Sequence, residues 1–220
     1  MVGEATTTML KLYDYPDCPF CQKVRVVLAE KDLEYEKIFV DLRKQEQKLP
    51  DFLRLNPYGK VPVLVDEDEV IYDSTIINEY LDDEYPDPPL LPRIEFSSLR
   101  ARARIFEDFA DTSFTPQVGQ LMAEVAKPEA ERDQARLQRL RSAVERVLDY
   151  LNRELQGQQY LAGEFSVADI GFAPRLLVLK DLGVDAGMNR PNVDTWIRRL
   201  LDRASIHNLA GVTVEPTAGV

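Results

Sequence analysis

The chain has 220 residues, with 27 Lys and Arg against 38 Asp and Glu, a formal net charge of −11. Hydrophobic residues make up 45% and charged residues 30%, which fits one or two globular domains and excludes a disordered chain, whose apolar surface would be too small to offset the entropy of ordering. The acidic balance argues against a nucleic-acid partner, because phosphate binding needs clustered cations, and no apolar run is long enough to cross a bilayer.

The first eight residues, Met1 to Thr8, are polar and lack the basic start and apolar stretch of a secretory signal, so the expectation is a cytoplasmic protein. Met9 to Tyr13 alternates and is rich in strand formers, which predicts a first strand. Asp17 reads as a helix N-cap and Pro19 suits the first helical turn. Val24, Val27 and Leu28 then recur at helical spacing, with Arg25, Glu30 and Lys31 on other faces, and the helix is expected to end near Lys31-Asp32. Tyr35 to Asp41 predicts a second strand. Gln45 to Leu55 predicts a short helix limited by Pro50 and by Asn56-Pro57. Val61 to Val65 and Val70 to Tyr72 predict a hairpin across the polar stretch Asp66 to Glu69. Ser74 is then expected to cap a helix running to about Tyr85.

The first 85 residues thus predict the order β-α-β-α-β-β-α. A stiff boundary follows over 86–93, where Pro86 to Pro92 holds four prolines in seven residues. The remainder, 94–220, carries the helical period only. Arg100 to Met122 predicts one long helix, kinked near Pro116. Pro128 to Leu155 predicts another. Ser166-Val-Ala-Asp169 has the form of a capping box with Asp in place of Glu. It opens a nearly continuous apolar run, Ile170 to Leu182, expected to be a central helix. Pro191 opens a last helix through Trp196 and Leu201, and Gly211 to Val220 reads as a loose tail.

Chemistry concentrates in three places. There are two cysteines, Cys18 and Cys21, and one histidine, His207. That inventory does not supply the four Cys or His ligands of a structural zinc site, so no metal is expected. A lone His near the C-terminus is an ordinary surface or packing residue rather than the base of a Cys-His pair. The two cysteines form Cys18-Pro19-Phe20-Cys21, between a predicted strand and a predicted helix, a spacing that reads as a redox motif. Unpaired N–H groups and the helix dipole favour an anion at a helix N-terminus, so Cys18 should ionise readily and attack, with Cys21 one turn further in as a resolving thiol. The plainer alternative is two small buried apolar side chains. The second place is Gly59-Lys60-Val61-Pro62. A residue before proline is held extended; if the Val61-Pro62 bond is cis, which the sequence leaves open, the Val61 backbone is exposed and can pair with an extended peptide while Lys60 meets a carboxylate. A loop lysine and a strand-start proline explain the same residues. The third place is Asp73-Ser74, where a helix start suits a carboxylate and Asp73 suits an ammonium group. A simple N-cap is the plainer reading.

Taken in order, Cys18-Pro-Phe-Cys21, Asn56-Pro-Tyr-Gly-Lys-Val-Pro-Val-Leu64, Asp73-Ser74, the proline-rich boundary and Ser166-Val-Ala-Asp169 resemble the glutathione transferase superfamily over nearly the whole chain. The resemblance implies a thioredoxin-like α/β N-terminal domain (βαβαββα, 1–85), a boundary segment (86–93), an all-α C-terminal domain (94–220) and a homodimer. It is nearest the cysteine-type classes, such as omega and dehydroascorbate reductase. These use glutathione as co-substrate in thiol transfer or dehydroascorbate reduction, and less readily in conjugation to electrophiles. Carried over by position, Cys18 is catalytic and Phe20 contributes its backbone N–H. Lys60 and Lys48 meet the glycyl carboxylate, Val61 beside Pro62 pairs with the cysteinyl backbone, and Asp73 with Ser74 holds the γ-glutamyl end. Cys21 departs from the many cysteine-type members that lack a second cysteine, and leaves one-thiol and two-thiol chemistry both open. The resemblance further implies a pocket for a small electrophilic or disulfide substrate, with Tyr15, Phe106, Phe109, Phe114 and Phe172 as candidate lining, although aromatics at helical spacing serve equally as core. A second resemblance, on Val24 to Lys31, Pro88 to Pro92 and Phe165 to Asp169, is to stringent starvation protein A, which shares the fold, lacks the active cysteine and acts as a partner of RNA polymerase. Retention of Cys18, Lys60 and Asp73 favours the enzyme.

Overall fold

The computed structural model describes residues 9–210, so the readings of Met1 to Thr8 and of Gly211 to Val220 lie outside the described residues. The chain divides into two compact units, Met1–Asp87 and Pro88–Val220.

The first unit contains a four-stranded sheet in the order β2-β1-β3-β4, with β1 (Leu10–Asp14), β2 (Tyr35–Phe39), β3 (Val63–Asp66) and β4 (Glu69–Tyr72). β1 and β2 are parallel and joined by α1 (Pro19–Glu30), as a parallel pair requires. β3 runs antiparallel to both β1 and β4, in a register that sets Tyr13 opposite Val63 and Val63 opposite Tyr72. The C-terminal ends of β1 and β4 and the N-terminal end of β3 therefore lie at one end of the sheet. α2 (Pro50–Leu55) and α3 (Ser74–Glu84) complete this unit.

Several local readings shift by a residue or more, each for a physical reason. Cys18, not Asp17, is the N-cap of α1, in extended backbone with Pro19 at the first helical position. Asp73, not Ser74, caps α3: its Oδ1 accepts from the N–H groups of Thr75 (2.9 Å) and Ile76 (3.5 Å), a geometry that Ser74, already helical, cannot make. Pro50 opens α2 instead of sitting within a longer helix, because it lacks the N–H that an interior position needs; two 3₁₀ turns, Leu42–Lys44 and Glu46–Lys48, precede it. Lys31, read as a residue of an outer face, is buried. Its Nζ meets the Asp82 carboxylate at 2.9 Å and the Tyr85 carbonyl at 2.7 Å, which ties the end of α1 to α3.

The second unit is helical: α4 (Ser97–Phe109), α5 (Thr115–Val125), α6 (Gln134–Glu154), α7 (Val167–Leu176), α8 (Pro191–Leu201) and α9 (Ala204–Ala210). The expected kink near Pro116 is a π-helical turn over Ala110–Phe114 that joins α4 to α5 just before the proline, the place where a missing N–H disturbs the hydrogen-bond ladder. α7 is the central helix, with all ten residues buried, but it ends at Leu176. Pro174 lies inside its last turn, and Gly183 at φ 76° follows, so the apolar run to Leu182 leaves the helix early. The sequence reading places the last helix at Pro191 to Leu201, so α9 is an element it does not include. The boundary segment carries Leu90 and Leu91 buried, and the Leu90 carbonyl accepts from the Val167 N–H at 2.9 Å at the start of α7.

Asp169 holds that start together. Its Oδ2 accepts from the Ser166 N–H (3.1 Å) and hydroxyl (3.4 Å), and its Oδ1 from the Leu161 N–H (3.1 Å) and the Trp196 indole (2.8 Å). This is the capping box foreseen in Ser166 to Asp169, extended to a neighbouring helix. Burial pushes the Asp169 carboxyl up to about 6, against the four donors that hold it down.

Candidate functional site

The β1–α1 loop, the start of β3 and the end of β4 meet at one end of the sheet. Cys18, Cys21 and Val61 belong to one buried apolar cluster with Tyr15, Val40, Phe52 and Val63, and Phe20 packs against it. The structure thus brings together the two cysteines, Phe20 and Val61 from separate stretches of sequence. The Val61-Pro62 peptide is cis.

The two thiols are not equivalent. Cys18 retains 8% exposure and Cys21 none. Both are free. The Cys21 S–H donates to the Cys18 sulfur and is the main cause that holds the Cys18 thiol below its ordinary value of 9.0. The N–H groups of Cys21 and Phe20 add to this, against burial and the Asp14 charge, which push it up. Cys21 is pushed well above 9.0, first by burial and then by its bond to Cys18. The arrangement has one consequence for reactivity. Cys18 forms the thiolate and Cys21 keeps its proton, so the first attack on an electrophilic sulfur falls to Cys18.

The Lys48, Lys60 and Asp73-Ser74 positions bracket the same end of the sheet. Lys48 Nζ bonds the carbonyls of Tyr58 (3.3 Å) and Gly59 (2.9 Å), so it braces the loop leading to Lys60 and Val61. Lys60 is exposed, and its carbonyl accepts from the Asn56 side chain at 2.7 Å. Asp73 is exposed and engages its own helix start, while Ser74 is buried directly after it. Gly59 takes φ +59°, and a Cβ there would lie 2.8 Å from the Gln47 carbonyl oxygen, so only glycine fits the turn.

Three residues of the site were not singled out from the sequence. Asn56 is 2% exposed and bonds both Lys60 and the Tyr58 N–H (3.0 Å), fixing the turn; the Asn-Pro-Tyr-Gly turn signature pointed to it. Asp14 and Arg25 form an ion pair beside the cysteines, which no local pattern announces. A cavity of about 230 Å³ beside the β1–α1 loop is lined by Tyr15, Pro16, Asp17, Phe39, Asp41 and Arg43. Of the other aromatics considered for a second substrate, Phe106, Phe114 and Phe172 are at most 1% exposed. Phe114 and Phe172 pack tilted at 5.2 Å between ring centroids, and Phe172 meets Trp196 edge-on at 6.1 Å; with Phe106 equally buried, these three phenylalanines are core of the helical unit. Phe109 packs edge-on to Tyr150 at 5.5 Å.

Among the described residues, no group of three or more His, Cys, Asp or Glu side chains is placed to hold a metal ion, and no helix is long and apolar enough to cross a membrane.

Comparison with known proteins places this geometry in context. The family described as Glutathione S-transferase, N-terminal domain, matches residues 12–89, and Glutathione S-transferase, C-terminal domain, matches residues 114–204. A stringent starvation protein A homolog of Haemophilus influenzae is 34% identical over 209 residues, covering 93% of this chain and 91% of that protein. Glutathione S-transferase 3 of Zea mays is 32% identical over 216 residues, covering 94% and 96%. Among solved structures, the glutathione transferase URE2P8 from Phanerochaete chrysosporium, with oxidized glutathione, superposes with a TM-score of 0.81 at 27% identity, covering 94% of this chain and 95% of that one.

Proposed function

The chain belongs to the glutathione S-transferase family, and from its site we propose that it is a cysteine-type member that transfers thiols through Cys18. The observation that carries the reading is the asymmetry of the pair: the Cys21 S–H and the N–H groups of Cys21 and Phe20 converge on the Cys18 sulfur and lower its pKa, while Cys21 stays protonated.

The Cys18 thiolate attacks the glutathionyl sulfur of a mixed disulfide R–S–S–G. The S–S bond breaks, R–S⁻ leaves and takes a proton, and Cys18 carries the glutathionyl group. A second glutathione thiolate then attacks that group, releasing oxidised glutathione and restoring the Cys18 thiolate. With dehydroascorbate as acceptor, two glutathione molecules supply the two electrons and two protons that yield ascorbate. In this reading Lys60, with Lys48 bracing its loop, meets the glycyl carboxylate. The Val61 backbone pairs with the cysteinyl unit next to Pro62, and Asp73 with Ser74 receives the γ-glutamyl end. The second substrate is a small disulfide or electrophile, and the working assembly is a homodimer in the cytoplasm.

Glutathione-dependent reduction of a small glutathionyl disulfide tests the reading. The wild type is expected to turn over, Cys18→Ser to lose at least a hundredfold, and Cys21→Ser to retain activity; an inactive wild type overturns it.

A second reading is favoured by the identity to stringent starvation protein A homologs across most of the chain: a non-enzymatic partner of RNA polymerase on the same fold. It predicts stable co-purification with polymerase and no glutathione turnover.

A further inference from the structure

Asp14 is the last residue of β1 and is completely buried. A buried carboxylate persists only when its charge is matched. Arg25, two turns along α1, supplies the match: its Nη1 donates to Asp14 Oδ1 at 3.0 Å and Oδ2 at 2.7 Å. The other arm of the guanidinium, Nη2, donates to the Pro16 carbonyl at 2.9 Å, and the Gln22 side chain donates to that same carbonyl at 3.1 Å. One arginine thus holds both ends of the segment Asp14 to Pro16, whose next turn is closed by the Cys18 N–H on the Tyr15 carbonyl at 3.1 Å.

Resting on the reading of Cys18 as the nucleophile, we propose that Arg25 is its positioning residue: the guanidinium offsets part of the Asp14 charge beside the two sulfurs and pins the loop that presents Cys18.

The electrostatic setting supports this from each neighbouring element. On α1 the groups are Cys21 and Arg25. On β2, Lys37 reaches Asp14 Oδ2 at 3.8 Å but is half-exposed, so solvent screens it. The Tyr35 hydroxyl, also on β2, responds to both members of the pair: Asp14 adds to the upward push of burial, and Arg25 opposes it. The facing start of β3, Val61 to Val63, carries no charge. The loop and the first 3₁₀ turn contribute Asp17, Asp41 and Arg43, which line the cavity beside Tyr15 and Pro16. The Asp14 charge pushes both thiols up. Without Arg25 the cation left paired with Asp14 is the half-exposed Lys37.

The test is the pH dependence of iodoacetamide alkylation at Cys18, mapped by peptide mass spectrometry, which needs no glutathione. Arg25→Gln is expected to move the alkylation midpoint up on the order of one unit, so that alkylation at pH 7 slows roughly tenfold and converges with wild type at high pH. Arg25→Lys keeps the charge and should stay within about threefold of wild type, and Asp14→Asn with Arg25→Gln should return to that range, because a lost charge pair leaves no net field. An unshifted midpoint in Arg25→Gln overturns the proposal. So does a double variant as slow as Arg25→Gln, since that outcome assigns Arg25 a loop-holding role alone. Should Arg25→Gln fail to fold, Asp14→Asn decides: it must lower the midpoint below wild type, and an unchanged midpoint rejects the charge argument. If the wild type fails to reduce glutathionyl disulfides, the transferase reading falls, while the order of alkylation rates still decides the role of Arg25.

Discussion

Replacing Asp169 with alanine should destabilise the helical unit more than any other single change at its surface or caps. The carboxylate is fully buried and receives the Leu161 N–H, the Ser166 N–H, the Trp196 indole N–H and the Ser166 hydroxyl. The hydroxyl can rotate to another acceptor, but the other three donors are fixed. A buried donor left unpaired costs about 1–3 kcal/mol, so three of them should cost roughly 3–9 kcal/mol. That is a large share of the ~5–15 kcal/mol that holds a typical domain. Urea unfolding followed by fluorescence reads it directly, because Trp196 is the chain's single tryptophan and lies in this unit. A loss below about 1 kcal/mol would refute the reasoning, since it would mean that the freed donors find other partners. The pH dependence adds a second check. With the carboxyl pushed up to about 6 in the fold, the native state keeps this proton after the unfolded chain has released it at about pH 4. The group's contribution therefore declines as pH rises from about 4 to about 6 and is constant above that. The difference between wild type and Asp169→Asn should follow that slope.

Gly59→Ala forces a Cβ to 2.8 Å from the Gln47 carbonyl oxygen, and to 3.0 Å from the Leu53 and Lys48 side chains, at φ +59°. Left-handed strain and overpacking together should cost about 2–4 kcal/mol in urea unfolding of the first unit, and glutathione affinity should weaken because the same turn carries Lys60 and Val61. Cys21→Ala removes the S–H that donates to Cys18, so the Cys18 alkylation midpoint should rise towards that of an ordinary thiol. Cys21→Ser, which keeps a donor, should remain near wild type; equal midpoints in the Ala and Ser variants would count against the S–H donor.

The fold was legible where one element carries its own signal. Leu10 and Leu12 alternate with Lys11 and Tyr13, Pro19 follows Cys18, and Asp169 follows Ser166 by three, so a strand, a helix start and a capping box could be read locally. The candidate site was legible for a different reason: Cys18, Val61 and Asp73 stand in an ordered set of motifs, and the antiparallel register of β1, β3 and β4 gathers them at one end of the sheet. What escaped the sequence depends on partners from distant elements. Lys31 looks like a surface residue until Asp82 and the Tyr85 carbonyl are brought to it. Asp14 and Arg25 are charged residues in unremarkable positions until the β1–α1 turn sets them 2.7 Å apart. The aromatics Phe106, Phe114 and Phe172 have a helical period that core and pocket share, and only their burial assigns them to the core.

The central claim is that Cys18 is the sulfur that carries glutathione. Incubating wild type, Cys18→Ser and Cys21→Ser with oxidised glutathione, followed by intact-mass and peptide analysis, tests it most directly, since thiolate attack on the disulfide leaves one glutathionyl group on the protein and releases one glutathione. The account predicts a single adduct at Cys18 in Cys21→Ser and none in Cys18→Ser. An adduct on Cys21, or no adduct in Cys21→Ser while Cys18 alkylates readily, would contradict it.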